Sequence, residues 1–530
     1  MTHWWQKGII YQIYPRSFQD ANGDGIGDLP GITRRMDYLH WLGIDAIWIS
    51  PMYPSPMADF GYDISDYTNI HPLFGTLDDM DALISAAHQR DIKVLLDFVP
   101  GHTSNEHPWF LESRSSRDNP KRDWYIWRDP APGGPDRQPP NNWLSRFDGK
   151  SGWEWDEKTG QYYLHSFLAE QPDLNWRSPE LREAMFNVMR FWLDKGIDGF
   201  RVDVVYRVMK DPNFPDNPPN PNWHEGMDPA LRLIEKYNKD TPHSHEFNRW
   251  LRSVTDEYDN RVLIGEINVP LPALVTYYGR NDEIHLPQNT NLNGTPWTVE
   301  AVRALVEQYE SLLPQGAWPN WVLGNHDQHR IATRIGRSQA RVAMMLLMTL
   351  RGTPINYYGD ELGMTDGRIP PEKIQDPWEI KSPGLGLGRD PERTPMQWDN
   401  SANAGFCPPD VEPWLPAAEN FEGINVETAQ TRPNSTLTFT QQLITLRRQS
   451  AALNSGSYQT LSALPGLFAY LRENGDEQRI IVLNFTDAPQ TWPIPDDIAQ
   501  TPVRLSTHLD NPGQIQDGTL LLHPNEGIIL

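Results

Sequence analysis

Short apolar runs alternate along the chain with stretches in which apolar residues recur at helical spacing. The apolar runs predict buried strands at 8–15, 44–50, 92–99, 197–203, 261–266, 283–286, 321–325 and 354–358. The periodic stretches predict helices at 32–42, 78–89, 179–195, 245–258, 298–312 and 338–350. Buried strands separated by helices form a parallel sheet with right-handed crossovers, and eight such units close into a barrel. We therefore predict an α/β fold, a (β/α)8 TIM barrel.

Two stretches interrupt this alternation. Residues 103–172, rich in Pro, Gly, Asn and Trp, are too long for a connecting loop and follow the third strand, which predicts an inserted subdomain. From residue 455 onward, short alternating strands at 467–472, 478–485, 503–506 and 519–523 predict a C-terminal antiparallel β-sandwich over 455–530. The barrel itself is then expected to comprise residues 1–102 and 173–454.

The composition narrows the class of partner. The formal net charge is -24, from 70 acidic against 46 basic residues, which disfavours nucleic acid and anionic membranes as partners and suits a neutral or cationic small molecule. Solubility alone also explains such acidity. The single cysteine excludes an internal disulfide framework and a cysteine-based zinc site. Because no long apolar segment or signal-peptide pattern is present, we expect a cytoplasmic protein. We also expect a monomer or a weak homo-oligomer.

Acidic residues follow several of the predicted strands. Asp97 ends the third strand, Asp203 the fourth and Glu266 the fifth, and Asp327 follows the seventh. In a barrel of this kind the active site lies at these strand ends, so the carboxylates are expected to converge. Arg201 shares a strand face with Asp203 and should favour its ionised form. In isolation such a pair is more often a structural ion pair, and the other acids make a catalytic role the better interpretation.

Seven motifs carry a family resemblance. The runs at 97–104, 199–203, 265–266 and 325–327 resemble the four sequence regions of the α-amylase family of glycoside hydrolases. The runs at 61–67, 171–176 and 393–398 resemble the α-glucosidase and oligo-1,6-glucosidase branch of that family. Together these motifs cover nearly the whole chain in the order expected for the family.

The resemblance implies a role for each of three acids. Asp203 is the implied nucleophile, Glu266 the general acid and then base, and Asp327 the carboxylate that holds sugar hydroxyls and supports the transition state. A retaining glycosidase needs a nucleophilic carboxylate about 5–5.5 Å from a protonated acid. We expect Arg201 to keep Asp203 ionised, and the apolar run 262–264 to favour the protonated form of Glu266.

The resemblance also implies a substrate pocket. His102 and His326 would donate to glucose hydroxyls, and Tyr62 would stack beneath the sugar. Asp59 and Arg393 would pair across the pocket and hold the 4-hydroxyl of the terminal glucose, which makes the enzyme exo-acting. A surface ion pair is the alternative for these last two residues. The complete set of implied substrate-binding residues is Asp59, Tyr62, His102, Phe147, Phe167, Arg201, His326 and Arg393.

A separate stretch, DANGDGIGD at 20–28, has oxygen ligands at every second position and glycines that permit a tight wrap. This spacing is that of a calcium loop, although the Glu at the twelfth position and the helix pair of an EF-hand are missing. The resemblance implies a structural Ca²⁺ bound through Asp20, Asn22, Asp24, the Ile26 carbonyl and Asp28. Mg²⁺ is an alternative ion, an acidic turn without metal is the alternative structure, and no organic cofactor is expected.

Some positions depart from the family pattern. Gly101 replaces the usual Asn before the histidine of the third-strand region, so no second calcium is predicted. Asn268 and residues 288–290 stand where relatives more often carry aromatic residues, on the leaving-group side. Val204 is the residue type that this family associates with α-1,6 cleavage, whereas the residues that follow it differ from the usual oligo-1,6-glucosidase sequence.

These observations predict a retaining, exo-acting α-glucosidase. It would release single glucose units from short α-glucosides, with transfer of glucose to alcohols or sugars as an additional reaction. A sucrose or maltose isomerase is the alternative enzyme. A non-catalytic binding protein on the same fold is a remote alternative, because such a protein would have lost the acids that are present here.

Overall fold

In the computed structural model, which describes residues 3–132, 137–461, 464–495 and 502–530, eight parallel strands form the central sheet. They are β1 (Ile10–Ile13), β2 (Ala46–Ile49), β3 (Lys93–Phe98), β4 (Gly199–Val202), β5 (Val262–Ile267), β6 (Leu286–Asn289), β7 (Asn320–Val322) and β8 (Thr353–Tyr357). The hydrogen-bonded order is β7-β8-β1-β2-β3-β4-β5-β6, and β6 lies beside β7, so the sheet is a nearly closed barrel. The predicted fold is confirmed.

Helices cover the outside of this barrel. The principal ones are Leu29–Arg34, Met36–Leu42, Leu77–His88, Pro179–Asp194, His243–Thr255, Val299–Leu312, Arg337–Thr349 and Thr436–Gln449. Shorter helices lie at Trp4–Lys7, Pro15–Phe18, Pro108–Ser113, Leu271–Leu274, Asn291–Gly294, Ile331–Ile335, Pro377–Lys381, Val426–Thr431 and Ala451–Ser455.

Three predicted boundaries were wrong. The seventh strand, expected at 321–325, ends at Val322. The helix expected at 32–42 is divided in two, because Arg35 leaves the helical conformation with ψ of 7°. The sixth strand begins at Leu286 rather than at Glu283, since Glu283 is instead buried in ion pairs with His245 and Arg249.

The inserted stretch contains a small antiparallel sheet of its own. Its strands are Trp127–Arg128, Gln161–Leu164 and Trp153–Asp156, with Gln161–Leu164 in the centre. Trp143, Trp153 and Leu164 belong to a separate hydrophobic cluster beneath it. The isolated bridge between His102 and Asp173 joins the two ends of the stretch. The exact domain boundaries remain predictions.

The C-terminal region consists of antiparallel sheets, as predicted. A five-stranded sheet contains Ser457–Thr460, Leu467–Asn474, Glu477–Asn484, Gly527–Ile529 and Leu505–Ser506 in that order. A three-stranded sheet contains Gln490–Pro493, Thr519–Leu522 and Gln514–Gln516. Side chains from both sheets, such as Val482 and Trp492, share one buried cluster, which is the arrangement of a sandwich.

The register of the barrel strands places the acidic residues and Arg201 next to one another. Asp97 on β3 is paired with Arg201 on β4, and Arg201 is paired with Ile264 on β5. At the start of β4, Gly199 has φ of +150°, and a Cβ at this position would lie 2.1 Å from the Val262 carbonyl oxygen. Only glycine permits this close approach of β4 and β5. The strand ends that carry Asp203 and Glu266 are therefore held side by side.

Among the residues that the structure describes, no helix is long and apolar enough to cross a membrane.

Candidate active site

One buried arginine joins three carboxylates at the C-terminal ends of adjacent strands. Arg201 Nη1 donates to Asp97 Oδ1 at 2.9 Å and to Asp203 Oδ1 at 2.8 Å. Its Nη2 donates to Glu266 Oε2. The Arg201 side chain is fully buried, and all three acids are almost fully buried as well. The predicted Arg201–Asp203 contact is present, and the same guanidinium also binds two further acids.

Burial dominates the electrostatics of this cluster. It raises the pKa of Asp203 well above its usual range. Arg201 lowers that pKa, whereas the negative charges of Glu266 and Asp97 raise it further. Burial likewise raises the pKa of Asp97 to about 6. Arg201 lowers the pKa of Asp203, as expected from the sequence, but this effect is limited because one guanidinium contacts three carboxylates. Glycoside cleavage requires an ionised nucleophile and a proton on the partner acid, so the roles of Asp203 and Glu266 need that proton to lie on Glu266.

The backbone just after Asp203 is strained. Val204 has φ of +34°, which is rare for a β-branched residue and costs about 1–3 kcal/mol. Its amide nitrogen lies 3.4 Å from Glu266 Oε2. Val204 thus follows Asp203 in the chain and contacts Glu266 through its amide. It is also the residue that the family resemblance associates with linkage preference.

Asp327 lies in the loop after β7 and faces two arginines. Its Oδ1 accepts from Arg389 Nη1 at 3.1 Å and from Arg393 Nη2 at 2.9 Å. Although burial opposes ionisation, neighbouring positive charges hold the pKa of Asp327 well below its usual range. Burial lowers the pKa of His326 to about 3, so this ring is neutral at pH 7 and the arginines supply the positive charge.

The predicted pairing of Asp59 with Arg393 was wrong. Arg389 Nη2 donates to Asp59 Oδ1 at 2.9 Å, and Arg389 Nε donates to Asp376 Oδ2 at 2.6 Å. Arg393 Nε instead donates to the His326 carbonyl oxygen at 2.7 Å. Arg389 immediately precedes the 3-10 turn Asp390–Arg393 and Arg393 ends it, so the turn directs Arg389 to the pocket and Arg393 behind its wall. Burial raises the pKa of Asp59 to about 6, against the effect of Arg389.

These residues surround a cavity of about 440 Å³. The predicted residues that line it are Asp59, Tyr62, His102, Phe147, Phe167, Asp203, Glu266 and Asp327. Arg201, His326 and Arg393, which were also expected to bind substrate, do not line the cavity. They lie behind its wall and orient the residues that do.

Tyr62 and His102 in the cavity wall are each held by contacts that involve an imidazole ring. The Tyr62 hydroxyl lies 2.7 Å from His326 Nε2 and donates to Asp97 Oδ2 at 3.0 Å, and the two rings stack with an interplanar angle of 1°. Nε2 of His102 lies 3.1 Å from the Tyr62 carbonyl oxygen, whereas its Nδ1 has no partner among the described residues. Burial lowers the pKa of His102 to about 4. His102 is therefore neutral at pH 7 and contributes an uncharged ring to the cavity wall.

Sequence reasoning missed part of the lining. The missed residues include Arg146, Tyr206, Arg207, Leu231, Glu235, Lys239, Trp378 and Arg389. Arg207 binds Glu235 through both of its terminal nitrogens, each at 2.6 Å, and this pair fixes the segment 206–239 at the pocket. The length of the segment between β4 and helix His243–Thr255 could have indicated that it contributes to the pocket, because loops at this end of a barrel form the active site.

The loop at 20–28 wraps around its own carboxylates. Asp20 accepts from the amides of Gly23 at 2.6 Å and Gly25 at 2.9 Å, and Asp28 Oδ2 accepts from Ala21 at 3.1 Å. The donor set is entirely oxygen, which fits a hard cation, and carboxylate oxygens retain lone pairs after accepting one hydrogen bond. The residues are therefore compatible with the calcium site that the sequence suggested.

A (β/α)8 barrel with paired carboxylates at its strand ends around a polar pocket defines a hydrolytic enzyme of the glycosidase type. Residues 12–456 match the family model described as "Alpha amylase, catalytic domain". The chain therefore belongs to the α-amylase family of glycoside hydrolases.

Similar proteins agree with this membership. The oligo-1,6-glucosidase of Parageobacillus thermoglucosidasius is 40% identical, over 93% of this chain and 92% of the relative. The solved structure of XgtA, an α-glucosyl transfer enzyme, is 37% identical with a TM-score of 0.93, covering 100% of this chain and 99% of that one. The trehalulose synthase MutB of Pseudomonas mesoacidophila MX-45 is 35% identical with a TM-score of 0.90, over 100% and 99% of the two chains.

Proposed function

We propose that the protein is a retaining, exo-acting α-glucosidase that releases glucose from the non-reducing end of short α-glucosides. The observation that carries the proposal is that Asp203 and Glu266 bind the same guanidinium at a pocket lined by the Asp59–Arg389 ion pair. The paired carboxylates can carry out both chemical steps of a retaining mechanism. The buried Asp59–Arg389 ion pair closes one side of the pocket, so that only a terminal sugar can bind.

In the first step, the Asp203 carboxylate attacks the anomeric carbon and the glycosidic bond breaks. Glu266 gives its proton to the departing oxygen, so the products are a glucosyl-enzyme ester and a free alcohol or sugar. In the second step, Glu266 removes a proton from water, and the resulting oxygen displaces Asp203 from the same carbon. Asp327, held by Arg389 and Arg393, is placed to bind sugar hydroxyls throughout.

Transfer of glucose to another sugar is the second reaction that we propose. It requires an acceptor hydroxyl in place of water in the second step, with the same proton transfer to Glu266. The likeness to XgtA, which is an α-glucosyl transfer enzyme, supports this reaction. Polar lining residues on the outer side of Glu266, namely Asn268 and Thr290, offer hydrogen bonds to an acceptor.

A sucrose or maltose isomerase is the second candidate function, and the likeness to the trehalulose synthase MutB supports it. One experiment separates the candidates: incubation with maltose, isomaltose, kojibiose, nigerose, trehalose and sucrose, with quantification of products over time. Free glucose that first appears as the α-anomer is expected for a retaining glucosidase. An isomeric disaccharide as the main product would establish isomerase activity, and the β-anomer as first product would overturn the retaining mechanism.

We also propose that the loop at 20–28 binds a structural Ca²⁺. Asp20, Asn22, Asp24, the Ile26 carbonyl and Asp28 would hold it, and their oxygen chemistry supports a hard cation. Its role would be to stabilise the loop after β1, and no catalytic step depends on it.

A further inference from the structure

A second cluster of ionisable side chains lies beside the active site, formed by three separate segments. His329 follows β7, Asp366 follows β8, and Glu392 lies in the turn Asp390–Arg393. Nδ1 of His329 is 2.8 Å from Asp366 Oδ2 and 3.5 Å from Glu392 Oε2. One nitrogen and two carboxylate oxygens thus lie within 4.8 Å of one another, and this is the only such group of three among the described residues.

Glu392 has an unusual environment within this cluster. Its side chain is only 2% exposed, and in the described part of the chain its Oε2 has no hydrogen-bond partner. A buried polar oxygen without a hydrogen-bond partner costs free energy, which a bound ion would offset. The oxygen faces His329, so the unsatisfied atom is directed into the cluster.

The other two members complete an accessible set of ligands. The Arg330 amide donates to Asp366 Oδ1 at 2.8 Å, which leaves Asp366 Oδ2 turned toward His329. The His329 side chain is 47% exposed, so an ion from solvent reaches the cluster without a rearrangement of the core.

We propose that His329, Asp366 and Glu392 bind a divalent transition-metal ion of the Zn²⁺ type. One imidazole nitrogen and two carboxylate oxygens suit Zn²⁺, with water as a fourth ligand, whereas Ca²⁺ and Mg²⁺ prefer oxygen alone. The ion neutralises both carboxylates and gives the buried Glu392 oxygen a partner.

Such an ion would act on the site through the backbone. His329 is two residues from Asp327, and Glu392 precedes Arg393, so the metal joins the loops that carry these two residues. The ion has no contact with the reacting atoms in this arrangement, and its ligands are positioning residues. The inference does not rest on the proposed glucosidase activity, because any reaction at this pocket would use the same loops.

The test is a calorimetric titration of tag-free, chelator-treated protein with ZnCl₂, in the presence of excess CaCl₂ to occupy the loop at 20–28. The wild-type protein is expected to bind one zinc ion. His329→Gln and Glu392→Gln should each weaken that binding by at least about tenfold, since removing even an outer partner of a metal ligand costs about 10- to 100-fold. The control His40→Gln changes an exposed histidine on helix Met36–Leu42 and should bind zinc as the wild type does.

Thermal melting gives a second readout. Zinc should raise the melting temperature of the wild type and of His40→Gln, and leave both cluster variants unchanged. Circular dichroism establishes that the exposed His329→Gln variant is folded before titration. Absence of zinc binding in the wild type, or unchanged affinity in both cluster variants, would overturn the proposal. The cluster would then be only a set of ion pairs between His329 and the two acids.

Discussion

Arg389 Nη2 lies 2.9 Å from Asp59 Oδ1, and this buried pair lines the substrate pocket. The same arginine also contacts Asp327 and Asp376, so it links the pocket wall to the carboxylate that we propose supports the transition state. Arg393, four residues later, contacts Asp327 from behind the wall. The two arginines therefore have different roles although they belong to one short turn.

A double-mutant cycle should detect this difference. We expect Asp59→Ala and Arg389→Ala to show a coupling energy in kcat/KM of about 0.5–3 kcal/mol, the range for residues in one ion-pair network. Asp59→Ala combined with Arg393→Ala should be closer to additive, because these two residues make no direct ion pair. Equal coupling in the two cycles would contradict the assignment of Arg389 as the partner of Asp59.

The acids themselves are testable by kinetics. Asp203→Ala and Glu266→Gln should each lower kcat by about three or more orders of magnitude, the scale seen when catalytic residues are removed. Both variants should keep the wild-type circular dichroism spectrum, since Arg201 retains two of its three carboxylate partners in each case. Activity near that of the wild type in either variant would reject the corresponding role.

Asn268 gives a test of how Glu266 is oriented. Its Nδ2 donates to Glu266 Oε1 at 3.0 Å, and its Oδ1 accepts from the Thr290 hydroxyl. Loss of a hydrogen bond to the neutral acid costs about 0.5–1.5 kcal/mol, so Asn268→Ala should lower kcat by about 2- to 10-fold. Asn454→Ala, in the remote helix Ala451–Ser455, is the control and should leave kcat unchanged. An effect on KM alone would mean that Asn268 contacts substrate without orienting Glu266.

Asp198 should contribute to stability in a pH-dependent way. Burial opposes its ionisation, but His88 Nε2 at 2.8 Å, the Val94 amide at 2.9 Å and Lys93 lower the pKa of Asp198 overall. A lowered pKa means that the contribution is present above the unfolded value of about 3.8 and is lost as the pH falls through the folded value.

Asp198→Asn should therefore be destabilised by about 1–3 kcal/mol at pH 7, measured by denaturant unfolding. The difference between wild type and variant should shrink as the pH falls below about 4. A difference that stays constant between neutral and acidic pH would show that packing, rather than the charge of Asp198, is responsible.

Removal of calcium should lower the melting temperature. If the loop at 20–28 binds Ca²⁺, an ion at 100 times its dissociation constant stabilises the fold by about 2.7 kcal/mol, and chelation removes this contribution. Asp20→Asn should melt at the same temperature with and without the chelator, and added CaCl₂ should restore the wild type alone. An unchanged wild-type melting curve, together with no metal by elemental analysis, would exclude the site.

The sequence by itself determined the fold and the identity of the three acids. Alternating apolar runs and helical patterns depend only on local periodicity, and the acids follow strands whose ends must meet in a barrel. The strand ends predicted where Asp203, Glu266 and Asp327 would meet, and the resemblance to the α-amylase family distinguished them from Asp97; fewer than half of the residues that line the pocket were predicted.

Only the tertiary structure decided which charges meet. Arg389 and Arg393 have the same chemistry, and no local rule shows which one faces Asp59, because the answer depends on the turn between them. The sharing of Arg201 among three acids depends on strand register and burial, and so does the raised pKa of Asp203. The cluster of His329, Asp366 and Glu392 unites residues far apart in the chain, and only packing brings them together.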